Sequence, residues 1–276
     1  MDKNSFEKAM KEYIQDSPDN CVKKEAALRP ELAGMRIFEE PLFGYVYAGD
    51  PYFTEAKKPG IIGEHFLIPE EWLSGAKTVI SLFLPFTEQV RIANSKDMEW
   101  PSHEWLHARI EGQAFQEMIC RFAEELLKSE GFSALAPMTD PRFARGVEAI
   151  SDKTDQNYYT SNWSERHAAY AAGLGTFGLS KGLITKKGVA GRYLSIISSA
   201  DFEPDNRPYT GVYDYCSFCG ACARNCPCKA ISTEKKEKSH HLCSEFVDTV
   251  RKKHAPYFGC GKCQVKTPCE QTAPNV

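Results

Sequence analysis

No stretch of this chain is long and apolar enough to cross a bilayer. A span needs about 20 consecutive apolar residues, and the most apolar segment, Thr78–Phe86, falls far short. Basic charge is not in surplus either. Lys and Arg number 34 against 37 Asp and Glu, for a net charge of −3 and a pI near 6.2, which excludes the basic domain expected of a nucleic-acid binder. The first residues, Met1-Asp-Lys-Asn-Ser-Phe-Glu7, carry no apolar h-region and no twin arginine, so a cytoplasmic location is expected. No internal repeat is present apart from two sets of cysteines.

Cysteine is what the chain does have. There are 11 in 276 residues, most of them crowded into the last quarter. Cys216-Ser-Phe-Cys219-Gly-Ala-Cys222-Ala-Arg-Asn-Cys226-Pro227 is C-x2-C-x2-C-x3-C-P, the run that holds iron–sulfur clusters in bacterial ferredoxins. Three thiolates at that spacing curl around one face of a cubane, and the fourth points away to a second cluster. Cys243, Cys260-Gly-Lys-Cys263 and Cys269 complete a set of eight. The crossed assignment puts Cys216, Cys219, Cys222 and Cys269 on one [4Fe–4S] cluster, and Cys226, Cys243, Cys260 and Cys263 on the other. Zinc prefers two separated C-x2-C pairs, and a disulfide framework needs an oxidising compartment. Thiols kept for iron imply a reducing one. Cys228, two residues after Cys226, is a ninth candidate that can stand in if Cys269 fails to reach the first cluster.

Ahead of the cysteines the pattern alternates helices and strands. Helices are expected over residues 4–15 and 103–129, the second with an apolar stripe of Phe115, Met118, Ile119, Phe122 and Leu126. Strands are expected within Met35–Ala48, at Thr78–Phe86 as a strand covered on both faces, and at Ser133–Pro137. Another helix starts near Asn162, with Asn162 as N-cap and Glu165 three residues on, and stops at Gly173. Leu183–Thr185 and Tyr193–Ser198 read as a pair of strands around a Lys186-Lys187-Gly188 turn. A polar linker, Asp205–Pro208, divides the chain into an α/β or α+β core of residues 1–205 and a two-cluster ferredoxin-like domain of residues 206–276.

Two motifs point elsewhere. Gly173-Leu-Gly175-Thr-Phe-Gly178 matches G-x-G-x-x-G, but a helix precedes it and a strand follows, the reverse of a dinucleotide site. His103-Glu104-Trp-Leu-His107 matches H-E-x-x-H, which supports a zinc hydrolase as an alternative, with Glu104 as base and the third ligand missing in an obvious form. A third reading is a ferredoxin-type electron-transfer module with no organic cofactor.

From Ser164-Glu-Arg-His-Ala-Ala-Tyr-Ala-Ala-Gly-Leu-Gly-Thr-Phe-Gly178 onward, with the two cysteine sets, the apolar strand after Gly75-Ala-Lys-Thr and the segment Phe-Gly-Cys-Gly-Lys-Cys-Gln, the chain resembles the epoxyqueuosine reductase family. That family is in turn similar to the reductive dehalogenases. The resemblance covers most of residues 69–269. It implies a cobalamin held between a nitroreductase-like core and the cluster domain, with electrons entering from a small ferredoxin- or flavodoxin-type carrier. It also implies a small-molecule or nucleoside substrate. No D-x-H-x-x-G motif occurs, in keeping with a family that puts no histidine on cobalt. Arg166, Gly173 and Gly175 are then expected to line the cofactor site, with Arg166 pairing with a phosphate or propionamide-type group. The family's proton-donating Asp in V-D-S-A-P has no counterpart: Ala134 occupies its place in Ser133-Ala-Leu-Ala-Pro137. Counting back from Glu165 instead puts Tyr159 there, as in the dehalogenases, so Tyr159 and Tyr158 are the candidate proton donors.

Overall fold

The computed structural model describes residues 1–145 and 159–274. In chain order the elements are α1 (Lys3–Asp16), β1 (Leu42–Tyr47), α2 (Pro51–Ala56), α3 (Pro69–Trp72), β2 (Thr78–Pro85), α4 (Glu88–Lys96), α5 (His103–Ser129), β3 (Ala134–Leu135), α6 (Glu165–Ala171), β4 (Gly175–Phe177), β5 (Leu183–Thr185) and β6 (Gly191–Ser198). They are followed by α7 (Ala221–Arg224), β7 (Ile231–Ser232), β8 (Glu237–Lys238) and α8 (His240–His254).

A four-stranded sheet of order β1-β2-β6-β3 forms the middle layer. Every pairing in it is antiparallel. The core is therefore α+β, and the parallel sheet implied by an α/β reading is not present. All eight residues of β2 are buried, as its unbroken apolar run predicts, because both faces are covered. Ile80, Leu82 and Leu84 face α1 and α5, where Phe6, Met10, Ile14, Phe115, Ile119 and Leu127 are buried. Val79 and Phe83 face the other way, toward α6 and its Ala168, Ala169 and Tyr170. Each such Leu, Ile or Phe contributes about 1.5–3 kcal/mol when taken out of water.

Local signals held where spacing alone decides. Asp2 caps α1, and Ser102 caps α5 through a 3.2 Å bond from Trp105 N. Two expectations that depended on distant partners are corrected. The cap of α6 is Ser164, not Asn162. Asn162 instead accepts from Ala144 N and donates to Arg142 O. Leu183–Thr185 pairs with Gly175–Phe177 rather than with β6, which lies between β2 and β3.

The cysteine-bearing segment is stitched to the core. Asp205 lies against β1, with its amide on Tyr45 O (2.9 Å) and its carboxylate accepting from Tyr45 N (3.1 Å). Arg207 bonds Asp50 and Ala171 O, so the expected linker is an ordered strap. Val189 N donates to Cys269 O at 2.9 Å. In the loop between Cys260 and Cys263, Lys262 is fully buried and gives its three donors to Asn94 O (2.7 Å), Asn94 Oδ1 (3.0 Å) and Asp97 O (2.6 Å). Asn94 also donates to Cys260 O at 3.0 Å. Gly261 sits in the left-handed region (φ 68), and a Cβ there would overlap the Trp105 ring at 2.0 Å.

Removing one partner of a buried charge is costly, and a hydrogen bond to a charged group contributes about 1.5–3 kcal/mol. Asn94→Ala is expected to lower unfolding free energy by roughly 3 kcal/mol, read by urea denaturation under anaerobic conditions. A loss near zero would mean that water replaces the amide.

Candidate functional site

The cysteines fall into two groups, each bordering its own cavity. Cys216, Cys219, Cys222 and Cys269 line the first, together with Leu179, Ile184, Pro268 and Pro274. Left-handed backbone at Phe218 (φ 51) and Gly220 (φ 71) turns the chain between Cys216 and Cys222, and α7 then carries Cys222. Burial, with the neighbouring thiols adding, pushes the Cys222 thiol up to about 12. A thiolate there is unfavourable until a metal supplies positive charge, which is how metal binding couples to deprotonation. Cys219 is exposed, so this group reaches the surface.

Cys226, Cys228, Cys243, Cys260 and Cys263 border a second cavity of about 420 Å³. Cys226 Sγ accepts from Ala230 N at 3.3 Å, the kind of bond that tunes a cluster's potential. Burial raises Cys260 to about 12. Burial works against the ammonium of Lys238 on the same cavity, but the neighbouring Cys263, Cys243 and Cys226 sulfurs outweigh it and raise the group overall. The two groups meet where Cys222 and Cys226 pack together with Leu179 and Ile231. Cys216, Cys219, Cys222 and Cys269 thus border one cavity and Cys226, Cys243, Cys260 and Cys263 the other, with Cys222 also beside Cys263. Cys228 lies with the second group and not with Cys269, because its charged neighbours are Cys226 and Cys243, whereas those of Cys269 are Cys216 and Cys219. Among the described residues, no group of three or more His, Cys, Asp or Glu is placed to hold a metal ion. Thiols spread around a cavity suit a cubane of several irons better than a single ion.

The H-E-x-x-H reading fails on geometry. His107 is fully buried. Its Nε2 accepts from Leu28 N at 3.0 Å, and its Nδ1 lies 3.0 Å from Glu111, which leaves no nitrogen for zinc. Glu104 is paired with Arg29, and His103 packs edge-on against His254.

Gly173 and Gly175 are used by the chain itself. Gly173 (φ 77) ends α6 close to Asn206 O, and a Cβ on Gly175 would sit 1.9 Å from Ile184 O of β5. Of the candidate proton donors, Tyr158 lies outside the described residues. Tyr159 is on the surface of the cysteine-lined cavity and also borders a third cavity of about 410 Å³. Its ring packs against His240 at 5.5 Å. Arg166 lines that third cavity along with His65, Ser161, Ser164 and His167, and it donates to Lys181 O. The structure therefore brings Tyr159 and Arg166 to one cavity and leaves the two glycines in the scaffold.

Three features of the site escape the sequence pattern. Among the described residues Arg192 bonds neutral partners, Gln113 and Gln116, and burial beside Arg109, Arg145 and Arg166 lowers it to about 9. His167 is pushed down to about 3 by burial and by Arg166, so it is a neutral imidazole, bonded to Ser164. Glu165 accepts from Ser195 Oγ at 2.6 Å, which in turn accepts from Trp163 Nε1. Its other oxygen is buried without a partner, and desolvation raises the carboxyl to about 8.

The arrangement is a mixed α+β core with two thiol groups beside polar cavities, and it has known counterparts among redox enzymes. The fold is that of the epoxyqueuosine reductases and reductive dehalogenases. An epoxyqueuosine reductase solved with an epoxyqueuosine-modified tRNA-Tyr stem loop superposes with a TM-score of 0.53 at 17% identity, over 97% of this chain and 66% of that one. The enzyme from Streptococcus thermophilus gives 0.52 at 17%, over 100% and 70%. A catabolic reductive dehalogenase gives 0.53 at 17%, over 84% and 30%. Among curated proteins, tetrachloroethene reductive dehalogenases of Desulfitobacterium hafniense and Dehalobacter restrictus are 39% identical over 71 residues, which is 25% of this chain and 13% of theirs. The chain thus spans a small part of those dehalogenases and about two thirds of the reductases. No family profile matches it. Among the described residues, no helix is long and apolar enough to cross a membrane.

Glu165 gives a pH test. Its carboxyl would titrate near 4.5 in the unfolded chain and near 8 in the folded one. A raised folded value contributes stability that is complete below 4.5 and is lost as pH rises toward 8. Glu165→Gln, neutral throughout, is expected to gain in Tm on the unsubstituted protein across that window. Parallel Tm profiles would show that the carboxyl is solvated.

Proposed function

We propose that this chain is an iron–sulfur reductase of the epoxyqueuosine reductase and reductive dehalogenase type, acting in a reducing, cytoplasmic interior. The observation that carries the reading is the division of the cysteines into two groups on separate cavities, the second open to Tyr159. In this reading residues 206–276 work as a two-cluster, ferredoxin-like unit. The exposed Cys219 marks the entry for electrons from a small carrier protein, and the contact of Cys222 with Cys226 marks the step to the inner cluster.

The donor sets suit the cofactors proposed. Eight thiols spread around two cavities suit two [4Fe–4S] clusters, and the cavities on either side of Tyr159 suit a flat macrocycle with polar edges. A cobalamin bound there would supply reduced cobalt as electron donor or nucleophile toward the substrate. The rest is the chain's own work. Arg166 and the hydroxyls of Ser161 and Ser164 would hold an anionic or amide group. Neutral His167 would donate or accept without adding charge. Tyr159 would deliver a proton to the substrate atom that gains electrons. Charge balance speaks against a basic nucleic-acid-binding domain, yet one structural neighbour was solved with a modified tRNA stem loop. The epoxyqueuosine nucleoside is therefore the first substrate to try.

The experiment is anaerobic reconstitution with iron, sulfide and cobalamin, followed by metal counting. The expected result is about eight irons and one cobalt per chain. Eight irons with no cobalt would replace this reading with an electron-transfer module, and no iron would end both. With a substrate in hand, Tyr159→Phe is expected to lower kcat by about 10²–10⁴ with iron and cobalt unchanged. A turnover rate equal to that of the unsubstituted protein would remove Tyr159 from the chemistry.

A further inference from the structure

The second cavity is bordered by one thiol more than a cubane needs. A [4Fe–4S] cluster takes four cysteines, and Cys226, Cys228, Cys243, Cys260 and Cys263 all face this space. Cys228 Sγ is 3.6 Å from Cys226 Sγ. The left-handed turn at Lys229 (φ 52) folds Cys226-Pro-Cys-Lys back on itself, with Lys229 N on Cys226 O and Ala230 N on Cys226 Sγ. Both sulfurs therefore look into the same cavity from the same loop. Cys260 and Cys263 come from the opposite loop and interact with Cys243, Cys226 and each other rather than with Cys228.

We infer that Cys228 is a reserve ligand of the second cluster, placed to take over the iron that Cys226 holds. The inference rests on the cluster reading above but goes beyond it. The swap needs only a side-chain rotation and a short shift of one loop. No electron is transferred: the Cys228 thiol gives up its proton as its sulfur replaces that of Cys226 on iron, and Cys226 leaves as a thiolate that takes up a proton in turn. A cluster served by either of two sulfurs would tolerate damage to one of them. Its surroundings would also change with the sulfur bound, because the 3.3 Å bond from Ala230 N is made to Cys226 Sγ.

The test counts iron in reconstituted full-length variants and records the EPR spectrum of the reduced protein. The unsubstituted chain, Cys228→Ala and Cys226→Ala are each expected to hold about eight irons, with an altered EPR signal only in Cys226→Ala. Cys226→Ala/Cys228→Ala is expected to drop to about four, and so is Cys263→Ala, which has no spare thiol beside it. The four irons of the first cluster report that each variant is folded. The inference is overturned if Cys226→Ala alone falls as far as the double variant, or if Cys228→Ala alone loses iron, since Cys228 would then be an obligate ligand. An unsubstituted chain that binds no iron would instead defeat the cluster reading itself.

Discussion

The buried ammonium of Lys262 is the constraint from which the rest of the site follows. A charge taken out of water is tolerated only when every donor is met, and here three carbonyl oxygens from the end of α4 meet all three. The bond fixes the loop between Cys260 and Cys263 against the core, and Asn94 fixes the same loop again through Cys260 O. Trp105 then closes over Gly261, where no side chain fits. Two of the second group's thiols are thus positioned by groups more than 150 residues earlier in the chain. An element that folded alone could not provide this. The thiol segment and the core form one structure, although the sequence divides them at residue 205.

Electrostatics follow the same division. Around the first group the surroundings are apolar, with Leu179, Ile184 and two prolines, and burial, with the neighbouring thiols adding, raises Cys222. Around the second, cations gather: Lys238, Arg109, Arg192 and Arg251 border the cavity. Only Arg251 among these has a carboxylate partner among the described residues, Asp248. An anionic cluster in apolar walls is harder to reduce than one among cations, since adding an electron adds negative charge. If clusters fill the two groups as proposed, the outer would sit at the lower potential and the inner at the higher, the direction in which electrons would move inward.

What could be read from the sequence was set by local spacing. C-x2-C-x2-C-x3-C-P has Cys226 leave the first three thiols, and here Cys226 borders the second cavity while Cys216, Cys219 and Cys222 border the first. The apolar run at Thr78 and the helical stripe after Phe115 both predicted their elements. Where partners are remote, the same reasoning had nothing to act on. Leu183–Thr185 is three residues of ordinary strand, and its pairing with Gly175–Phe177 rather than with β6 follows from the tight packing of Gly175 on Ile184. Asn162 has the chemistry of a cap but is used to tie down Ala144. Lys262 reads as an ordinary polar residue in a C-G-K-C loop, and Arg192 as an ordinary strand cation. Their roles appear only when the elements around them are assembled.

The proton side of the reaction depends on the same packing. If Tyr159 donates, it does so between two cavities whose walls carry Arg166 on one side and Arg109 and Arg192 on the other. A phenol gives up its proton more readily beside positive charge, so the cations that favour electrons at the cluster also favour the proton at the tyrosine. A carboxylic acid in that position would behave differently, because the same cations would strip its proton at neutral pH and leave it unable to donate. Glu165 shows the opposite solution on the next helix: burial outweighs its bonds to Ser195 and Trp163 and the pull of Arg145, and raises its carboxyl to about 8. In the proposed reading, the cations bordering the two cavities would favour a phenol over a carboxylic acid as the donor at 159.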